Sequence, residues 1–396
     1  MTSLQKTAAS SPAGETASAF ETGKILALSI SHFVHDVYSA FLAPLLPLLI
    51  EKLSMSLTQA GFLSTVMQLP ALMNPYIGQL ADRISVRYFV ILAPAMTAIP
   101  MSLIGVAPSY GVLLLLLFVA GISVALFHVP APVMVARLSG GRKGRGMSFF
   151  MTGGELARTV GPLAAVGAVS LMGLEGFYPV MLVGVAASAL LYWRFRRVNL
   201  DISDRRQKLS IRSTWKHMRR VLAPLSGILV ARGFMHAAMT AFLPTFIDME
   251  SGNLWLAGAA LTIFEASGVA GVLTAGSLSD HLGRRRMLLI SLLGAPLSLL
   301  LFVYSGGWLR VAALLLTGFT LLSTTPVMLA LVQEHAGDSS PAAANGLFMM
   351  ISFLARSAVV VLVGMIADRI GLHATYVIAA GAGLIGIPFV LALPRR

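Results

Sequence analysis

Runs of about twenty apolar residues recur from Lys24 to the C-terminus, each set off by a short polar or basic loop. A helix rises about 1.5 Å per residue, so about 20 apolar residues cross roughly 30 Å of hydrocarbon. Twelve runs satisfy that length, near 24–50, 57–81, 88–106, 111–136, 147–172, 177–195, 221–247, 254–279, 287–304, 308–332, 346–367 and 373–393. They are apolar on every side and lack the in/out alternation of a membrane β-barrel strand. The pattern therefore predicts an all-α integral membrane protein of twelve transmembrane helices.

Composition agrees. Of 396 residues, 57% are hydrophobic and 11% charged, with a mean hydropathy of +0.82. A soluble domain carries about 25% charged residues. The absence of cysteine excludes disulfides and thiolate metal sites. Residues 1–23 are polar without an apolar core, which predicts a flexible cytoplasmic tail and not a cleaved signal. The net charge of +13 is distributed by topology and does not indicate nucleic-acid binding. With both termini cytoplasmic, 23 of the 29 Lys and Arg fall on the cytoplasmic side; Lys52, Arg310 and Arg369 fall opposite, and Arg158, Arg232 and Arg356 lie within spans. The positive-inside rule then predicts a multi-pass protein of the cell's inner membrane in that orientation.

The basic stretch 197–220 reads as a cytoplasmic linker between a six-helix half at 24–196 and a second at 221–396. The halves share a template. His35, Ser39, Ala40, Phe41 and Leu42 match His236, Thr240, Ala241, Phe242 and Leu243 at constant offset, and Ala60-Gly61 matches Ala257-Gly258. Parallel six-helix repeats with substrate held between them at mid-membrane define one transporter architecture.

Two loops close the second and eighth spans, "GQLADRISVR" (78–87) and "GSLSDHLGRRR" (276–286), and an echo, "GMIADRIG" (364–371), follows the eleventh. The first two resemble the Gly-x-Leu-x-Asp-Arg-x-Gly-Arg-Arg motif of the major facilitator superfamily, which implies its twelve-helix, two-half fold. That resemblance makes Gly78, Asp82, Arg83, Arg87, Gly276, Asp280, Gly283 and Arg284 a cytoplasmic gate motif. Its glycines are expected to let helices approach and its aspartates to pair with arginine or cap a helix. "HFVHDVYSAFLAPLLPLL" (32–49) and "FHVPAPVMVARLSGGRKGRGMSFFMTGGELARTVGPL" (127–163) are similar to the fosmidomycin-resistance branch of the superfamily, with Val129 inserted between His128 and Pro130 and with Glu155 and Arg158 added. The branch implies export of small drugs against inward proton flow, with proton as coupling ion and no other cofactor.

Ionisable groups inside a membrane are costly and mark function. Asp36 is the expected principal proton site, tuned by His32 one turn away and by His35, with Glu155 and Glu265 as further proton-coupling carboxylates. Glu155 and Arg158 share a helical face and are expected to form a gated pair. Tyr38, Phe41, His128, Arg158, Arg232, His236 and Arg356 are the expected substrate cavity, and three intramembrane arginines suit an anionic or zwitterionic substrate. No Walker-type loop or enzyme constellation is present, so neither ATP-driven transport nor catalysis is expected. No catalytic residue and no metal ligand is assigned.

The sequence thus predicts a monomeric secondary transporter, most simply a proton-coupled exporter of small organic molecules, with the lipid bilayer and a small-molecule substrate as its partners. Three rivals share most features: uptake of an organic anion, export of a divalent metal through Asp36, His32, His35 and His236, and a non-transporting receptor or scaffold.

Overall fold

The computed structural model describes residues 20–74, 77, 87–196, 211–336 and 341–394. Among them every regular element is helical. In the first half these are α1 (Thr22–Ser39), α2 (Leu42–Leu53), α3 (Leu57–Gln68), α4 (Arg87–Leu103), α5 (Tyr110–His128), α6 (Ala131–Leu138), α7 (Lys143–Met172) and α8 (Met181–Phe195). The second half holds α9 (Ile211–Ala237), α10 (Leu243–Ser251), α11 (Leu254–Leu282), α12 (Arg284–Tyr304), α13 (Gly307–Leu322), α14 (Thr324–Ala336), α15 (Pro341–Leu384) and α16 (Gly386–Ala392). Residues 211–220, placed by the sequence in the linker, begin α9.

Nine stretches among the described residues are long and apolar enough to cross a membrane. One of them, Ala344–Ala392, is two helices joined at Gly371, whose φ of 80° no helix interior adopts. Two more of the expected twelve fall outside that set for clear reasons. The second span starts as α3 and runs into residues outside the described set; the fifth is α7, 30 residues long but diluted by Glu155, Arg158 and five glycines in its first nineteen positions.

Capping side chains set several starts. Ser56 and Gln59 form a reciprocal capping box at α3, Ser109 accepts from Val112 N at α5, and Asn253 accepts from Trp255 N and Leu256 N at α11. The repeat also shows in its irregularities. The first span breaks at Ala40–Phe41, and the seventh widens into a π-helical turn over Ala238–Phe242, at matching positions. Pro44 and Pro244 follow these breaks; each lacks an N–H and crowds the carbonyl four residues earlier, which forces the backbone to open there.

Large apolar side chains such as Leu115, Leu182 and Trp308 face outward, as a lipid-solvated surface requires. The halves meet along two seams, α3 against α15 and α7 against α11. The repeated Ala-Gly pairs sit on these seams: a Cβ at Gly61 would stand 2.7 Å from Val360 O, and one at Gly258 would stand 2.8 Å from Val166 Cγ2. Both lie toward the end of the bundle that carries Lys52, Glu250 and Asp368. There Asp368 of α15 accepts from Leu57 N (2.7 Å), Thr58 N (2.9 Å) and Thr58 Oγ1 (2.5 Å), capping α3 of the other half.

Candidate functional site

Asp36 lies in the middle of the first half, where α1, α4, α5 and α7 converge. Its carboxylate is ringed by imidazoles: His35 Nδ1 at 2.8 Å, His32 Nε2 at 3.1 Å and His128 Nε2 at 3.5 Å. The helical spacing explains the His32 contact, since residues four apart share a face. His128 arrives at the last residue of α5, before the break at Val129 and Pro130. Each ring is also fixed from behind. His32 donates Nδ1–H to the Phe150 carbonyl (2.8 Å), and His128 donates Nδ1–H to the Val124 carbonyl (3.0 Å). His35 Nε2 meets Thr97 Oγ1 at 2.9 Å; Thr97 donates to Ser123, and Ser123 donates to the Ala93 carbonyl. His32 stacks on Phe150 and His35 on Phe127, with ring centroids 4.1 and 4.5 Å apart. Gly154 of α7 leaves the space this needs, for a Cβ there would stand 2.6 Å from His32 Cε1.

A second charged set spans the seam. Arg158 pairs with Glu155 one turn back on α7, as the spacing predicts, and its Nε lies 4.0 Å from Glu265 of α11. One arginine of the first half is thus shared with a carboxylate of the second. Arg158 keeps 47% of its side chain exposed, so space between the halves opens at this level.

The remaining cavity residues divide. Arg232 is 6% exposed and, among the described residues, makes only long contacts, to Thr325 Oγ1 (3.4 Å) and the Leu321 carbonyl (3.5 Å), while its buried Nε has no partner there. His236 meets Thr240 Oγ1 at 3.3 Å and is not brought to the Asp36 cluster. Arg356 is exposed, with its guanidinium over Phe353. Tyr38 and Phe41 do not line the space between the halves: both are buried in the packed core, Tyr38 donates to the Val180 carbonyl, and Phe41 packs near Phe177. An amphipathic tyrosine at a helix centre serves packing as readily as a cavity once a carbonyl is within reach.

Of the gate motif, Gly78, Asp82 and Arg83 lie outside the described residues, and Arg87 opens α4 beside Tyr88. In the second copy Arg284 pairs with Asp280 and reaches Glu334 of α14 at 3.0 Å, all within one half. Gly283 has a φ of 88°, which explains a glycine there. The expectation of close helix approach is not met at Gly276 among the described residues, where an added Cβ would meet nothing.

Sequence reasoning missed Thr97, Ser123, Phe127 and Phe150, which have no local signal within their apolar runs. It also passed over Asp368, although the "GMIADRIG" echo marked it.

The two-half arrangement has a counterpart in comparison with known proteins. The Major Facilitator Superfamily model matches residues 28–271 and again 254–396. The chain belongs to the Major Facilitator Superfamily. It is a multi-pass membrane transporter and not an enzyme, and both the family and the twelve-helix expectation of the sequence hold. Within the superfamily it is 27% identical over 373 residues to the fosmidomycin resistance protein of Escherichia coli (strain K12), covering 92% of this chain and 91% of that one. It is 23% identical to the multidrug resistance protein MdtG of Salmonella arizonae, over 68% and 69% of the two chains. Among solved structures, the superfamily fold is shared with the nucleoside transporter NupG at a TM-score of 0.76 and 14% identity, covering 94% of this chain and all of that one. A bacterial homologue of the human lysosomal transporter Spinster aligns at a TM-score of 0.76 and 15% identity, over 95% and 96%.

Proposed function

We propose that this chain is a proton-coupled exporter of small organic molecules that works by alternating access, with fosmidomycin-like compounds among its substrates. The observation that carries this reading is the Glu155–Arg158–Glu265 bridge across the seam. An ion pair shared between two rocking bodies holds one arrangement, and neutralising one carboxylate releases it. Glu265 faces Arg158 and Glu155 from α7 and Arg356 from α15. Its protonation leaves Arg158 to Glu155 alone and frees the second half to move.

The direction of export is supported by the resistance relatives. The positive-inside bias puts both termini and the Arg284 end in the cytoplasm of a cell whose inner membrane holds the protein. The seam is closed at the opposite, Asp368 end. One chain supplies both halves and the whole seam, which makes the monomer the working unit.

The test uses proteoliposomes and fosmidomycin. An imposed pH gradient should drive drug flux through the native chain, while Glu265→Gln should abolish the gradient-driven component and keep downhill exchange. Gradient-driven flux unchanged in Glu265→Gln would overturn the coupling, and flux in the opposite sense would favour uptake.

A further inference from the structure

The hydrogen bonds around Asp36 have a direction that fixes which ring nitrogens are free. A carbonyl oxygen only accepts, so His32 and His128 must each carry hydrogen on Nδ1, toward Phe150 and Val124. The chain from His35 through Thr97 and Ser123 ends on the Ala93 carbonyl, which places hydrogen on His35 Nε2. In the neutral imidazoles, the nitrogens turned toward Asp36 are therefore the bare ones. Three bare ring nitrogens surround one carboxylate, an arrangement that repels itself unless a cation sits within it.

The geometry points to a divalent transition-metal ion held by His32 Nε2, His128 Nε2 and the Asp36 carboxylate. These three ligand atoms all lie within 4.8 Å of one another. Metal–ligand bonds of about 2.0–2.1 Å in a tetrahedron put ligand atoms roughly 3.3 Å apart; His32 Nε2 lies 3.1 Å from Asp36 Oδ2, and His128 Nε2 lies 3.5 Å from the other oxygen, Oδ1. Metal-binding histidines characteristically donate their other N–H to a backbone carbonyl, as both do here. His35 Nδ1, at 2.8 Å from the same carboxylate, supplies a further lone pair beside the site. The missing Cβ of Gly154 leaves the volume clear. His128, whose side chain is 38% exposed, provides a way in. Imidazole selects zinc, copper, nickel or cobalt over magnesium and calcium. The nearest cation, Arg158, is engaged by Glu155 and Glu265.

The set differs from the metal reading open to the sequence, which enlisted His236. Every ligand here belongs to the first half. A bound ion rides with that half instead of locking the two together, and is presented wherever the seam opens.

The test is calorimetry with zinc chloride on the full chain, purified in detergent through a tag that contains no histidine. One zinc should bind per chain, magnesium chloride should give no heat, and cobalt chloride should develop the visible bands of a tetrahedral complex. His128→Gln should weaken zinc at least about tenfold, whereas His335→Gln, on α14 with its Nδ1 on the Leu331 carbonyl, should not. Zinc binding unchanged in His128→Gln, or a cobalt spectrum that stays octahedral, would show that the cluster holds only protons and overturn the proposal. Should His128→Gln fail to fold, the native cobalt spectrum alone decides. No gradient enters this assay, so its outcome is separate from that of the Glu265 experiment.

Discussion

His35 and His236 occupy the same place in the two repeats, yet their surroundings are opposite. Around His35 the chain has assembled a carboxylate, two more imidazoles and a hydroxyl relay. Around His236 the repeat puts Ala237 where Asp36 stands and Gly233 where His32 stands, and the ionisable groups that face it are arginines, Arg356 and the buried Arg232 foremost. The first half concentrates an acid and surrounds it. The second concentrates cations: among the described residues Arg232 has no carboxylate partner, and Glu265, which also faces Arg356, pairs with Arg158 of the first half. Neither half is electrostatically complete by itself. That incompleteness gives the seam an energy that depends on charge, which is what a coupled transporter needs.

The largest effect should come from breaking that exchange. Arg158→Gln leaves Glu155 and Glu265 facing each other without their cation and should reduce gradient-driven fosmidomycin flux at least about tenfold. In thermal unfolding, Arg158→Gln or Glu155→Gln alone should cost about 1–3 kcal/mol, less than a fully buried pair because Arg158 remains half exposed. The double variant should recover part of that cost. Strictly additive losses in the cycle would show that the two side chains do not interact.

Arg232 sharpens the contrast in the opposite direction. A guanidinium that is 6% exposed, with an Nε unpartnered among the described residues, is a burden on folding. Arg232→Met should therefore raise stability by about 1–3 kcal/mol while impairing transport. A fall in melting temperature would mean that Thr325 and the Leu321 carbonyl satisfy the group better than their distances suggest.

The fold was legible because its signal is long-range and redundant. Apolar runs define the twelve segments, basic loops and repeated motifs agree with them, and the Glu155–Arg158 pair follows from helical spacing alone. The first-half cluster was half legible. Asp36, His32, His35 and His128 stand out as polar residues in apolar helices. Nothing local, however, says that His128 and not His236 meets Asp36, since that depends on how α5 packs beside α1. Tyr38 and Phe41 were misplaced for a related reason: a helix apolar all round does not announce which face meets protein and which meets open space. Thr97 and Ser123 were invisible because a lone hydroxyl in a membrane helix usually bonds its own backbone, and only tertiary contact turned these two toward His35.

A smaller effect is expected at the closed end. Asp368 accepts three hydrogen bonds from the start of α3, and asparagine can reproduce only part of that set, since its amide nitrogen would face donors. Asp368→Asn should cost the closed arrangement about 1 kcal/mol, which shifts the balance between closed and open about fivefold. The chain has no cysteine, so spin labels at Glu51→Cys and His373→Cys report that end without background. An unchanged distance distribution between them would show that the cap does not bias the gate.

An effect of similar size separates two uses of glycine in one motif. Gly276 is helical with no described residue near its Cβ position, so Gly276→Ala removes backbone freedom from the unfolded chain without a clash. It should stabilise the protein by about 0.5–1 kcal/mol. Gly283, seven residues on, has a φ of 88° and sits between α11 and α12, where an L-residue is strained. Gly283→Ala should destabilise by about 1–2 kcal/mol although it too meets no neighbour among the described residues. The comparison is read from paired thermal melts in the same detergent. If Gly276→Ala were the more harmful, a helix must approach Gly276 in another arrangement of the transporter, and the close-approach expectation for this motif would return through the open end of the cycle.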